Sequence, residues 1–360
     1  MSGGEDIEVQ YTHHVQRRLI FIAFCTLGVI LVAGFSLTIN GRGIGFLECY
    51  EYIINHILGT EYPFRSDAWF DDYVLWNTYV PRIVMGILVG CGLAVCGVAM
   101  QSLMNNPLAD PYTVGISDGA CFGAVAAIVT GFSLSSVMGS MGVVTNAFVG
   151  GLIPAMIIVL LSSIVRLSPA TTILIGVAMS YIFSGLETTI MMTADADTLK
   201  EAYLWQIGTL NGMTWERCYI PMILTIVGSA FLMYSSKNLN LLSLGDSSAK
   251  SLGLNVDQFR TLCMLIVAFL VASLVSFVGV IGFVGLVAPH LVRMLLGGDN
   301  KFVMPASMML GSLFVLFADL LSRVLIYPGE LRVGLIISMI GAPIFLYMIV
   351  RKKKGYGEVF

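Results

Sequence analysis

The sequence predicts an all-α polytopic membrane protein with about ten transmembrane helices. Three observations predict it. Hydrophobic residues make up 57% of the chain, charged residues only 11%, and the mean hydropathy is +0.88. A soluble domain carries about 25% charged residues, so this composition excludes an ordinary soluble protein. Apolar runs long enough to cross a bilayer, about 20 residues each, recur at 19–39, 79–104, 112–130, 142–165, 170–192, 217–236, 261–281, 283–296, 304–326 and 333–350. Basic residues also collect on alternate loops. With the N-terminus inside, twelve of the nineteen Lys and Arg residues fall on the cytoplasmic side: Arg17, Arg18, Arg166, Lys237, Lys250, Arg260, Arg293, Lys301 and the run Arg351 to Lys354. This is the positive-inside bias, and an even number of spans puts both termini in the cytoplasm.

Taken in order, residues 1–18 are polar and expected to form a disordered cytoplasmic tail. The span at 19–39 follows Arg17 and Arg18 as a signal peptide would. Its apolar run exceeds the roughly 7–15 residues of a signal core and no clear cleavage site follows, so it is a retained span. The outer loop, 40–78, is long and acidic. Within it "FLECYEYIINHIL" (46–58) places Phe46, Leu47, Tyr50, Ile53, Ile54 and Ile57 at helical spacing, which suggests an amphipathic helix lying on the membrane interface. Residues 19–350 are expected to form one membrane domain with no convincing internal repeat, and 351–360 a basic cytoplasmic tail.

Gly115, Gly119 and Gly123 recur every four residues in the third span, a bare stripe that lets helix backbones approach. In "GVIGFVG" Gly279, Gly282 and Gly285 suit a tight reversal between spans seven and eight, the latter unusually short. Seven cysteines lie mainly within spans and form no CxxC pair. They read as small apolar packing rather than a disulfide framework or zinc site. His290 stands without metal-ligand company and reads as structural.

The fifth span carries Gly176, Ser180, Ser184, Glu187, Thr188 and Met191 along one face. A small, polar stripe in a membrane helix either packs on another helix or faces water. Glu187 favours the watery cavity, because a carboxylate facing lipid is costly. In the ninth span Asp319 and Arg323 are four apart and can pair on one helix face.

The polar interval "GDSSAKSLGL" (245–254) faintly resembles a phosphate-binding loop. Such a loop needs GxxxxGK[ST], but Ala249 precedes Lys250 and no strand flanks it. It is not an ATP site. The residues instead suit two short helical turns. Asp246 is expected to cap the first, Ala249 and Leu252 to share its apolar face, and Gly253 to stop it. Asn255 is expected to cap the second. Helices this short persist only by packing on something.

At this point the chain resembles a family. "LLSLGDSSAKSLGLNVDQFR" (241–260) is similar to the cytoplasmic coupling region of ABC importer permeases for ferric chelates, haem and cobalamin. Further resemblances are "VPRIVMGILVGCGLAVCGVAMQSLMNNPLADPYTVGISDGA" (80–120), "GVIGFVGLVAPHLVR" (279–293), "ADLLSR" (318–323) and "GELRVGLIISMIGAPIFLYMIVRKK" (329–353). They run in order from about residue 75 to the end. The resemblance implies the type II ABC importer permease fold of ten helices, pairing with a second copy around one translocation pathway. It also implies two cytoplasmic ATPase subunits, which use ATP and Mg, and an extracytoplasmic substrate-binding protein that delivers a metal chelate. The chain itself is expected to bind no cofactor and no metal, to do no covalent chemistry and to meet no nucleic acid.

The resemblance assigns roles by position. Ser180, Ser184, Glu187 and Met191 would line the pathway. Asn106 and Leu108 in "NNPLADP" (105–111), with Pro169 and Ala170 in "LSPA" (167–170), would lie close to the cytoplasmic gate. Asp246, Ala249, Leu252, Gly253 and Leu254 would belong to the ATPase coupling region, and Arg82 and Arg323 would meet carboxylates of the binding protein. Two departures bear on that last contact: Tyr79 stands where family members often have arginine, and Arg332 replaces a proline. The competing reading is an ion-coupled secondary transporter using Glu187 and Asp319, which would need no cytoplasmic docking element. An intramembrane enzyme would need clustered catalytic groups, and none is visible in the sequence.

Overall fold

Among the residues described by this computed structural model (2–39, 41–134, 140–164, 168–326 and 329–355), there are helices and connections but no strand beyond one isolated backbone bridge. Seven helices are long and apolar enough to cross a membrane, and three shorter apolar helices accompany them. Together these account for all ten predicted spans.

The first helix, α1 (Ser2–Thr38), extends well ahead of the predicted span. The tail expected to be disordered is helical: it continues the hydrogen-bond ladder of the span, so it needs no nucleus of its own. Then come α2 (Phe46–Ile57), α3 (Asp67–Val74) and a π-helical turn at Leu75–Tyr79 that runs into α4 (Val80–Leu103). The turn Pro111–Val114 precedes α5 (Ile116–Thr130). After it follow α6 (Ser140–Ile164), α7 (Pro169–Met191), α8 (Ala196–Gln206) and α9 (Trp215–Tyr234). Two short helices, α10 (Ser236–Leu242) and α11 (Asp246–Ser251), lead to α12 (Val256–Val278). The chain closes with α13 (Val284–Leu296), α14 (Asn300–Val324) and α15 (Val333–Gly355). Arg166, residues 356–360 and the side chains of Arg351 to Lys354 lie outside what is described.

Ten apolar helices running alternately up and down would set the start of α1 and the end of α15 on one side of the bundle, here called the terminal face; the opposite one is the distal face. On the distal face α2 buries Cys49, hydrogen-bonds Ile30 through the Tyr50 hydroxyl and leaves Leu47, Ile54, Ile57 and Leu58 exposed. This is the apolar side expected of an interfacial helix. The acidic loop is partly neutralised from within, by Arg42 on Asp71 and by His56, 2.9 Å from Asp72 and stacked on Trp76.

The core is organised around α4, buried along most of its length from Pro81 to Leu103. Gly119 and Gly123 serve packing against α6: a Cβ on either would lie 2.4 Å from the Gly150 carbonyl or 2.1 Å from that of Asn146. The eighth span is short for a structural reason. Thirteen residues make a helix of about 20 Å, against about 30 Å of hydrocarbon. Its start therefore sits inside the bundle, where a Cβ on Gly285 would meet the Leu93 carbonyl at 2.9 Å. The reversal before it, with Gly279 and Phe283 at positive φ, is met by a non-helical segment entering from α8. Gly208 and Thr209 donate to the carbonyls of Val280 and Val278, and Gly208 accepts from Gly334. Irregular backbone at such depth is tolerated only where protein or a water-filled cavity surrounds it.

Candidate functional site

Three regions hold the residues singled out in the sequence. The first is α7. Pro169 occupies its first turn because Ser168 caps it, accepting from the Thr171 amide at 3.1 Å, and the missing proline amide is an unneeded donor there. Of its 23 residues only Thr172, Gly176 and Phe183 are buried. Ser184 is exposed, while Ser180, Glu187 and Met191 are half-buried. Ser180 donates to Asp118 of α5 at 2.5 Å, and Glu187 is within electrostatic reach of the same carboxylate. The predicted stripe thus divides. Its Ser180–Glu187 edge leans on Asp118, and its Ser184–Thr188 edge stands open to the surroundings of the single chain. Asp118 escaped notice because nothing within "ISDGA" announces a partner 62 residues away.

The turns beside α7 bear the expected gate residues. Asn106 accepts from the Leu108 amide at 3.0 Å in a side-chain-closed turn, with Asn105 at φ +45° and Leu108 exposed. Ala170 is exposed at the start of α7. This turn and the start of α7 both belong to the terminal face.

The second region is α11, also on the terminal face. Asp246 does not cap it; Gly245 holds the cap position and Asp246 is the first helical residue. Its carboxylate instead receives both outer nitrogens of Arg260, at 2.7 and 3.1 Å. That hydrogen-bonded guanidinium holds the Asp246 carboxyl below the usual carboxylate range. Ala249 is buried, but Leu252 does not share its face. Leu252 is 62% exposed, as is Leu244 at 64%. Gly253 stops the helix as expected, at φ +87°. Gly253 donates to Lys250 and Leu254 to Ala249, a Schellman closure that satisfies two terminal carbonyls. Leu254 folds back against the core. Asn255 does cap, accepting from Gln258 at 3.4 Å, but what it starts is the long span α12 and not a second short turn.

The third region corrects the docking assignment. Arg82 and Arg323 are only 5% and 3% exposed and close on Asp319, which is fully buried. Arg82 lies 3.0 Å from one Asp319 oxygen and Arg323 3.2 Å from the other. Arg82 also forks onto Glu330, at 3.0 and 3.1 Å. Arg323 donates to the Ser36 carbonyl at 2.9 Å and to the Ser36 hydroxyl, and lies over the Tyr79 ring. The i, i+4 pair is therefore present, but both arginines serve an internal four-residue ion cluster and offer no guanidinium to a partner. Only Glu330 reaches the surface, with a side chain 33% exposed. Beside it a cleft of about 1000 Å³ opens, lined by Thr209, Asn211, Glu330 and Arg332 among others.

The FecCD transport family matches residues 18–351. The chain is 36% identical to the hemin transport system permease protein of Yersinia pestis, over 94% of this chain and 98% of that one. It is 30% identical to the iron(3+)-hydroxamate import system permease protein of Bacillus subtilis, over 97% of this chain and 87% of that one. A solved structure described as an inward-facing, metal-chelate type ABC transporter aligns with a TM-score of 0.78 at 29% identity, covering 92% of this chain and 98% of that one.

Proposed function

This chain belongs to the FecCD transport family, and from that premise we propose that it is the permease of a metal-chelate ABC importer whose cargo is a ferric siderophore or a similar iron complex. Cobalamin and haem are the next candidates. The chain supplies the path and no covalent chemistry. Two copies enclose the pathway, two ATPase subunits dock on the terminal face, and a substrate-binding protein docks on the distal face. In this reading the terminal face is cytoplasmic and the membrane is the cytoplasmic one.

The observation that carries the reading is the form of α11. It is a six-residue helix that is marginal alone, yet it is braced at its start by Arg260 and at its end by the Schellman closure. It holds Leu244 and Leu252 out at the terminal face. Two exposed leucines on a braced stub suit an apolar groove on a partner. ATP-driven movement of that partner would then bias the bundle between two access states. The sparsely buried α7, with its open Ser184–Thr188 edge, suits a wall shared with a second copy. A secondary transporter has no use for α11, and its supposed site residue Asp319 is locked between two arginines.

Co-expression with an ABC ATPase and a substrate-binding protein from the same source, followed by reconstitution in proteoliposomes, tests the reading. Uptake of a ferric hydroxamate, haem and cyanocobalamin is measured with and without internal ATP. ATP-dependent uptake of the ferric hydroxamate is expected, and the chain alone is expected to bind no nucleotide. Uptake driven by an ion gradient without any ATPase subunit overturns the importer reading. ATP-driven uptake of only haem or cobalamin overturns the iron-siderophore assignment.

A further inference from the structure

We propose that Arg260 is a positioning residue that carries movement of α11 to the 104–110 turn and onward to α7. The proposal rests on reading α11 as the docking element. Arg260 lies in the second turn of α12 and is 6% exposed. Its two outer nitrogens hold Asp246, while its Nε donates to the carbonyl of Leu103 at 3.2 Å. Leu103 is the last residue of α4, so its carbonyl has no partner within the helix and sits at the negative end of the helix dipole. Asp246 opens α11, at that helix's positive end. One rigid, planar group therefore fixes the end of a core helix against the start of a projecting one. Lysine, a flexible point charge, cannot hold both in one plane.

The contact continues beyond Leu103. Asn106 donates back to Gln101 at 3.0 Å, and its side chain closes the turn on Leu108. Asp110 then caps the Pro111–Val114 turn. The Thr113 carbonyl of that turn lies so close to α7 that a Cβ on Gly176 would come within 2.1 Å of it. A shift of the 104–113 backbone therefore meets α7 with no slack between them. Arg293 makes a useful contrast. It is also on the terminal face, but it bonds Val98, Gln101, Ser102, Gly298 and Asn300, with none of its partners on the projecting helix.

The test uses the assembled importer with native cysteines replaced and Leu108→Cys as reporter, Leu108 being 46% exposed. Its labelling rate with a water-soluble maleimide is measured without nucleotide and after trapping with ATP and vanadate. With Arg260 in place the two rates are expected to differ about fivefold or more, an ordinary size for coupling between sites. In Arg260→Gln, and separately in Asp246→Asn, the ATPase subunits are expected to stay bound and hydrolyse ATP while the rates converge to within about twofold. Arg260→Lys should fall between. Equal rates in the parent, or a parent-sized nucleotide effect in both variants, overturns the proposal. Loss of the ATPase subunits from both variants also overturns it, because Arg260 would then only support docking. A parent chain that never retains ATPase subunits fails at the earlier step and takes the functional reading with it.

Discussion

Asp319→Ala tests the buried ion cluster most directly. Asp319 is fully buried, with one oxygen 3.0 Å from Arg82 and the other 3.2 Å from Arg323. Truncation leaves two guanidinium groups inside the protein with no carboxylate between them. Arg82 keeps Glu330, but among the described residues Arg323 keeps only the neutral oxygens of Ser36 and Ile39 and the face of the Tyr79 ring. Removing one partner of a buried pair costs about 3–5 kcal/mol, because the remaining charge stays desolvated. Asp319→Asn preserves the shape and one acceptor and should cost roughly half as much, in the range of one charged hydrogen bond. Six of the seven free cysteines are buried, so a thiol-reactive fluorophore reports unfolding in detergent. The Ala variant is expected to unfold about 5 °C below the parent. Replacing the trio together, as Arg82→Met, Asp319→Leu and Arg323→Met, should recover much of that loss, since no fully buried charge is left uncompensated and Glu330, with a side chain 33% exposed, keeps water for its carboxylate. An Asp319→Ala protein with the parent's unfolding midpoint would falsify the claim that this cluster holds α4 to α14.

Gly253→Val places a β-branched residue at φ +87°, at a cost of about 1–2 kcal/mol from left-handed sterics alone, beyond the loss of the helix stop. Membrane insertion should survive and ATPase co-purification should not, which a pull-down on solubilised membranes decides. Ser184→Cys and Glu187→Cys, in a background without native cysteines, should react with a membrane-impermeant maleimide, whereas Ile182→Cys, among exposed apolar neighbours, should not. Equal reaction at all three removes α7 from the pathway. The Asp246–Arg260 contact should be insensitive to mild acid. Its carboxyl is held below the usual range, so the stabilisation is complete above the unfolded carboxylate value of about 3.9 and fades only as pH falls through the lower folded value. The nucleotide-dependent ratio of Leu108→Cys labelling rates should therefore be flat between about pH 7 and pH 5, and a loss over that window would place the titrating group elsewhere.

What could be read from the sequence and what could not follow the range of the forces involved. Long apolar runs announce spans because lipid imposes its demand on every residue in turn, and all ten appeared where the runs lay. The Gly253 stop was equally visible, because a left-handed residue is a local requirement. Asp246 misled for the opposite reason. Local propensity makes it a cap, but Arg260, fourteen residues on, offers two charged donors, and these outweigh one backbone amide. The arginines at the distal face misled in the same way. The i, i+4 spacing of Asp319 and Arg323 was legible, but the partners that bury Arg82 lie 237 and 248 residues away.

The fifth span shows the limit most clearly. Its spacing revealed a polar stripe, which a helical wheel can do. Whether a stripe faces lipid, water or protein depends on what stands opposite, and periodicity carries no information about that. Here the answer differs between adjacent edges of one helix. Ser180 meets Asp118, whereas Ser184, only four residues along, is exposed. A helix with three buried residues among 23 cannot owe its place to its own bundle alone. Its apolar exposed positions, Leu174, Val177, Tyr181, Ile182 and Leu186, are at ease against lipid or against a second copy. Its open polar edge, Ser184 with Thr188, would be only half satisfied in lipid, where Thr188 bonds back to the Ser184 carbonyl at 2.8 Å. That bond satisfies the Thr188 hydroxyl proton and leaves the Ser184 hydroxyl to find an acceptor elsewhere. The thiol-labelling contrast between Ser184 and Ile182 therefore reads out which side of α7 meets water: reaction at Ser184 and not at Ile182 puts the polar edge in the aqueous pathway.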